Sequence, residues 1–374
     1  MTKGWKREPL ESCIEYVTYT QKIQRKDFLA SGAYPIVSQE EAFINGYWDN
    51  EADLFKIMAP VVVFGDHTKV LKYVDFDFVL GADGVKILQP REFLFPKFFY
   101  YQLQAANLDS LGYARHYKLL KELAIAFPTL PEQRRIVGIL DNAFDGIATA
   151  KANAEKNLQN ARGLFESHLQ AVFTQRGDGW VERTLANASS VFGRGKSRHR
   201  PRNEPKLYGG KYPFVQTGDV RNAMDVIDSF SQTYNEMGLA QSKLWPAGTV
   251  CITIAANIAE TAILGFDACF PDSMIGVVVD ERITSNTFLQ YLLQSFKAYL
   301  QAQGKGSAQQ NINMGTFETQ TFPFPPLEEQ NAIVERLNAI REKTQRLESL
   351  NQRKLAALNE LKKSLLHQAF SGEL

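Results

Sequence analysis

Most landmarks in this sequence occur twice, in the same order, and that repetition constrains the fold more than any other feature. Gly4-Trp5-Lys6-Arg7-Glu8-Pro9-Leu10 is echoed by Gly179-Trp180-Val181-Glu182-Arg183-Thr184-Leu185. Gly32-Ala33-Tyr34-Pro35-Ile36-Val37 returns as Gly210-Lys211-Tyr212-Pro213-Phe214-Val215. Phe98, Tyr101, Leu103 and Gln104 recur at the spacing of Phe288, Tyr291, Leu293 and Gln294. Phe127-Pro128-Thr129-Leu130-Pro131-Glu132-Gln133 matches Phe324-Pro325-Pro326-Leu327-Glu328-Glu329-Gln330. From that glutamine to a terminal phenylalanine the two copies run without a gap, 133 to 173 and 330 to 370. The segments upstream differ in length between landmarks. A chain built this way has two diverged globular parts, each followed by a faithfully repeated helix.

The prolines mark the boundaries, because proline suits the first turn of a helix and not its interior. The expected domains are therefore 1–127, a helix over 128–176, 177–323, and a second helix over 324–374. With 374 residues, two cores are the ordinary outcome. Strand-like runs such as Pro60-Val61-Val62-Val63-Phe64 and Thr249-Val250-Cys251-Ile252-Thr253-Ile254, together with short helices, make each globular part mixed α+β. Apolar residues at alternating spacings of four and three run through Ile333, Leu337, Ile340, Thr344 and Leu347. The same frame meets polar Asn351 and Lys354, then Leu358, Leu361 and Leu365. In the first helix it runs through Ile136, Leu140, Ala143, Ile147, Ala150, Ala154, Asn157, Ala161 and Leu164. Helices of ~60 Å exceed one domain, so they are expected to pair antiparallel as a coiled coil in a pseudo-two-fold repeat, holding the two domains apart. The plainer alternative is that each helix packs on its own domain.

A net charge of +1 implies nothing, so any argument for nucleic acid rests on where the charges lie. The densest basic run is Gly193 to Lys211, with Arg194, Lys196, Arg198, Arg200, Arg202, Lys206 and Lys211 against one acid, Glu204. Ser197 and His199 stand among them. A loop broken by glycine and proline suits phosphate contacts; a merely solvated loop is the bland reading. The segment Gly304-Lys305-Gly306-Ser307-Ala308-Gln309-Gln310-Asn311 offers Lys305, Ser307, Gln309, Gln310 and Asn311, whose amides suit adenine. Its counterpart, Gly112 to Lys118, offers Arg115, His116 and Lys118, and the tip Gly65-Asp66-His67-Thr68-Lys69 offers His67 and Lys69.

Catalytic patterns are missing from the sequence. Gly195-Lys196-Ser197 resembles the end of a phosphate-binding loop, but the glycine required five residues before Gly195 is Ser190. The five histidines and three cysteines show no metal spacing, and the cysteines no disulfide framework. A chain with no signal-like start and no uninterrupted apolar span is expected in the cytoplasm, away from membranes.

The order domain–helix–domain–helix, the two Phe-Pro-x-Leu-x-Glu-Gln helix starts and the ends at Phe173 and Phe370 resemble the specificity subunits of Type I restriction–modification systems. The likeness spans the whole chain. It implies two target recognition domains, one for each half of a bipartite, asymmetric double-stranded DNA site. It implies helices that set the gap and dock two modification (methyltransferase) subunits, with restriction (translocase and nuclease) subunits joining them. It further implies a non-catalytic chain without a cofactor of its own, with S-adenosylmethionine, ATP and Mg on the partners. Two other readings remain: the recognition subunit of a related separate-subunit restriction–methylation system, and a coiled-coil scaffold that binds no nucleic acid.

Overall fold

In the computed structural model the described residues are 4–374 apart from 83, 107, 109–111, 113, 200, 202, 256–257 and 306–313, with side chains at 303–305 also left aside. The chain divides into two compact units, Met1–Lys156 with Asn351–Leu374, and Asn157–Leu350. Each unit holds one globular part and a stretch of both long helices. The helices used below are α1 (Pro96–Ala105), α2 (Leu130–Thr174), α3 (Asn286–Ser295) and α4 (Leu327–Ser371).

In the first unit an antiparallel sheet has the order Ile14–Glu15, Val85–Pro90, Val61–Gly65, Leu71–Val74. Val61–Gly65 is buried throughout because the sheet is covered on both faces. Val62 and Phe64 face a core with α1, the start of α2 and the end of α4, while Val61 and Val63 face a second core with Val74, Phe78 and Leu80. The second unit repeats the device. Val250 and Ile252 join one core with α3, and Cys251 joins another with Trp245 and Phe270. There the sheet order is Ser189–Arg194, Met274–Val279, Val250–Thr253, Thr261–Leu264, Val226–Ile227, with the last pair parallel. A second sheet stands in each unit, five-stranded in the first and four-stranded in the second.

The repeated motifs are the joints of this frame. Lys6–Pro9 pairs antiparallel with Ala124–Phe127, and Val181–Thr184 with Thr321–Phe324, so the first and last strands close each globular part. Gln133 is buried at the start of α2. Its amide donates to Phe93 O and Pro128 O, both at 2.9 Å, and accepts from Phe95 N at 2.7 Å. Gln330 does the same at the start of α4, donating to Ile283 O (2.8 Å) and Pro325 O (2.9 Å) and accepting from Thr284 Oγ1 at 2.8 Å. Fixing both ends of a buried amide in this way locks the angle between helix and domain.

The long helices pack together antiparallel. In the first unit Ile136 and Leu140 share a core with Leu366 and Ala369, and Lys151 donates to Asn359. In the second, Leu169 and Phe173 share a core with Ile333 and Leu337, and Arg162 pairs with Glu348 at 2.9 Å. Each helix thus packs at its start on the globular part before it and at its end on the other. The plainer reading is therefore half right, for the first turns only.

The frame of fours and threes holds along one of its two rows, with Leu140, Ile147, Ala154 and Ala161 on α2 and Leu337, Thr344 and Asn351 on α4 buried at seven-residue spacing. Leu164, Leu347 and Leu361 are 47%, 44% and 47% exposed, Asn157 and Lys354 are exposed too, and Ile340, Leu358 and Leu365 are only half-buried. Covered positions also recur every eleven residues, with Ile136, Ile147 and Leu169 buried and Leu158 half-buried on α2, and Ile333, Thr344 and Leu366 buried and Leu355 half-buried on α4. An α-helix has 3.6 residues per turn, so a seven-residue frame slips around it, whereas eleven residues closely fit three turns. Ile136, Ile147, Ile333 and Thr344 satisfy both frames and are buried.

Candidate nucleic-acid interface

In the second unit the basic loop leaves the edge strand Ser189–Arg194, and its first residues are pinned to a neighbouring segment. Gly195 N donates to Met274 O at 2.9 Å and Lys196 N to Phe270 O at 3.1 Å. A Cβ at Gly195 would lie 2.3 Å from Pro271 O, so glycine here serves close backbone approach. That is the physical reason the Gly-Lys-Ser triplet is not a phosphate loop. The Arg194 guanidinium donates to Asp272 O, at 2.9 Å from Nε, which turns an exposed cation partly toward the loop's own support. Lys196 and Arg198 point to solvent. Ser197 is buried, and His199 N donates to Gln241 Oε1 at 3.0 Å. Lys243 sits over the Trp245 ring at 3.5 Å, and burial followed by the charge of Lys196 lowers its pKa. Cations are thus crowded on this edge.

Ser197 opens onto a cavity of about 520 Å³ lined also by Asn203, Tyr208, Phe214, Gln216, Thr217, Gln232, Ala255, Pro271 and Ser273. Gln216 Nε2 donates to Gln232 Oε1 at 2.8 Å, which holds two amides side by side at the rim. Hydroxyls and amides before aromatic walls, beside exposed cations, can bond base edges while the cations meet phosphate. Reading the sequence alone missed Gln216 and Gln232. The available signal was position, since Gln216 directly follows the repeated Tyr-Pro strand. Lys211 stands apart on Tyr208–Phe214, 3.3 Å from Glu236, so its charge is offset locally. Arg200, Arg202, Ser307, Gln309, Gln310 and Asn311 lie outside the described residues, as does the side chain of Lys305.

The first unit gathers its candidates around Asp66, which is buried. His116 N donates to Asp66 O at 2.7 Å, His116 Nδ1 lies 3.0 Å from the same oxygen, and Tyr117 N donates to Asp66 Oδ1 at 2.7 Å. His116 is 1% exposed. It ties two loops together and is not a residue that can face DNA, which corrects the sequence-based expectation. His67 is half-buried, its backbone N donating to Gln39 Oε1 at 3.2 Å. Lys69 has a left-handed backbone, φ 61°, and its ammonium donates to Leu108 O at 3.3 Å. Arg115 and Lys118 are exposed, Lys118 on the short helix Tyr117–Lys121. Among the described residues no group of three or more His, Cys, Asp or Glu is placed to hold a metal ion. No helix among them is long and apolar enough to cross a membrane.

Residues 178–357, which carry the basic loop, the cavity and much of α4, match the family described as the Type I restriction modification DNA specificity domain. Over that stretch the chain carries the DNA specificity domain of Type I restriction–modification systems. A specificity subunit of a Type I restriction enzyme from Escherichia coli is 24% identical, aligned over 88% of this chain and 85% of its own length. Another, from Salmonella potsdam, is 23% identical over 100% of this chain and 90% of its own. Among solved structures, a chain from work on complex assembly of the type I R-M system superposes with a TM-score of 0.78 at 18% identity, covering 100% of this chain and 99% of its own. The HsdS subunit from Thermoanaerobacter tengcongensis superposes with a TM-score of 0.59 at 19% identity, covering 100% and 98%. The specificity-subunit fold is therefore present along the whole chain, with two mixed α+β domains and a pair of long helices. The part such a subunit plays is DNA recognition rather than catalysis.

Proposed function

We propose that this specificity subunit reads a bipartite, asymmetric double-stranded DNA target, one half with each globular part. The observation that carries the reading is the exposed pair Lys196 and Arg198 beside the polar cavity of Ser197, Gln216 and Gln232. Phosphate contacts from the loop would fix register, and the amides would discriminate bases. The first unit offers Arg115 and Lys118 for phosphate, with the His116–Asp66 contact holding the loop that presents them.

Two modification (methyltransferase) subunits are the partners that best suit the helices. Leu164 on α2 and Leu361 on α4 hold equivalent places in the repeat and are each 47% exposed. A large apolar side chain left in solvent twice, at matching positions, supports two copies of one partner. Restriction subunits would join that assembly in the cytoplasm. The catalytic cofactors, S-adenosylmethionine, ATP and Mg, would sit on those partners, which would flip out and methylate adenine. Methylome sequencing of a host expressing the chain with its partners tests the reading. A single split motif is expected, one half of which loses its modification when Gln216 and Gln232 are both changed to alanine. An unchanged motif and level of modification in that variant would refute the assigned readers.

A further inference from the structure

The first unit contains a cavity of about 850 Å³ between α1, α2 and α4 that the DNA-recognition reading leaves unused. Lys69, Lys151, Lys362 and Lys363 line it, together with Gln104 and a wall of leucines that includes Leu103 and Leu366. The one carboxylate in the lining, Glu360, is held by Lys363 at 2.8 Å. Lys151 donates to Asn359. Lys362 stands over the Phe144 ring at 4.9 Å and makes no hydrogen bond or ion pair among the described residues. Burial, then the charge of Lys151, lowers its pKa. Gln104 Oε1 is buried without a hydrogen-bond partner among the described residues. Lys69 is held in a left-handed conformation, φ 61°, that a residue with a side chain rarely adopts.

The repeat supplies an internal control. The counterparts of Gln104, Phe144 and Lys362 are Gln294, Arg341 and Phe165, so a cation again lies over a ring, with the two residues exchanged between helices. Arg341 lies 4.4 Å from the Phe165 ring centroid. It is paired with Asp225 and donates to Gln294 Oε1 at 2.8 Å. The counterparts of Lys151 and Asn359 are Glu348 and Arg162, which neutralise each other. The second unit therefore answers its cations with carboxylates at places where the first leaves them around an open space. Half-buried ammonium groups facing one another repel, and an anion among them removes that repulsion.

We propose that this cavity binds a phosphate-bearing anion of nucleotide size, which brings to Lys69, Lys151 and Lys362 the negative charge that Asp225 and Glu348 bring to the second unit. The volume is within the range of small-molecule sites. The leucines suit an apolar ring, and the lone Gln104 oxygen suits a hydroxyl or amine donor on the same ligand. A bare phosphate uses neither.

The test is calorimetric titration of the full chain with ATP, AMP, inorganic phosphate and a random-sequence duplex. Saturable one-to-one binding of ATP is expected, with phosphate alone at least about tenfold weaker. Lys151→Gln with Lys362→Gln should weaken ATP binding at least about tenfold without lowering the melting temperature, because it removes a repulsion. Arg162→Gln, in the second unit, should leave ATP binding alone. The proposal is overturned if neither ATP nor AMP saturates the chain, if the double variant binds ATP as wild type does, or if phosphate matches ATP. It also fails if the double variant loses affinity only for the duplex, since the lysines would then serve the DNA backbone.

Discussion

The two units differ less where helices meet domains than where loops meet solvent. At the joints the chemistry is held in common: Gln133 and Gln330 make matching sets of three hydrogen bonds. Tyr101 donates to Asp141 on α2, and Tyr291 donates to Asn338 on α4 at 2.6 Å. At the tips the described residues do not match. The first unit closes its loops on Asp66 and His116, and the second opens a cavity beside exposed cations. A joint is constrained on every side by a close-packed core, so substitutions there are felt at once. A tip has only to support itself, which leaves it free to take on a new base sequence.

The comparison can be broken first at its strongest point. Leu140→Ala and Leu337→Ala remove equivalent side chains, each 0% exposed, and each should cost about 3 kcal/mol in urea unfolding. A large loss at one and almost none at the other would mean that the joints are not equivalent. Gln133→Leu and Gln330→Leu should each cost about 2 kcal/mol, because buried carbonyls and donors lose their partners. His116→Ala should cost about 1–2 kcal/mol in stability and leave the salt dependence of DNA binding unaltered. A changed salt slope would put that histidine back at the interface. Smallest in stability is Lys196→Ala with Arg198→Ala, which should not move the melting curve. It should lower the slope of log affinity against log salt by about 0.9 for each phosphate left without its cation.

The sequence made the joints legible because they are repeated with fixed spacing and marked by proline. The start of α2 after Phe127 and of α4 after Phe324 could be read directly, and so could the mixed character of the domains. The seam was read only in part, because Leu347 and Leu361 are apolar and sit in the seven-residue frame yet are exposed, while Lys151, Arg341 and Lys362 are half-buried polar residues outside it. A long side chain can bury its stem and cover a ring with its charge, which no apolar pattern records. The Ser197 cavity was invisible for another reason. Its lining comes from segments spread between residues 197 and 273, joined only by sheet pairing.

Burial of Leu366, Ala369 and Phe370 against Phe98 and its neighbours has a consequence for how the chain comes into being. The ribosome completes the first globular part early, yet its core stays unsealed until the last turns of α4 emerge. The second unit is one continuous stretch, 157 to 350, and can close before then. Order of manufacture and order of completion are therefore reversed. The nascent amino-terminal half has to wait with an apolar face open, a period in which chaperones or partner subunits would find it.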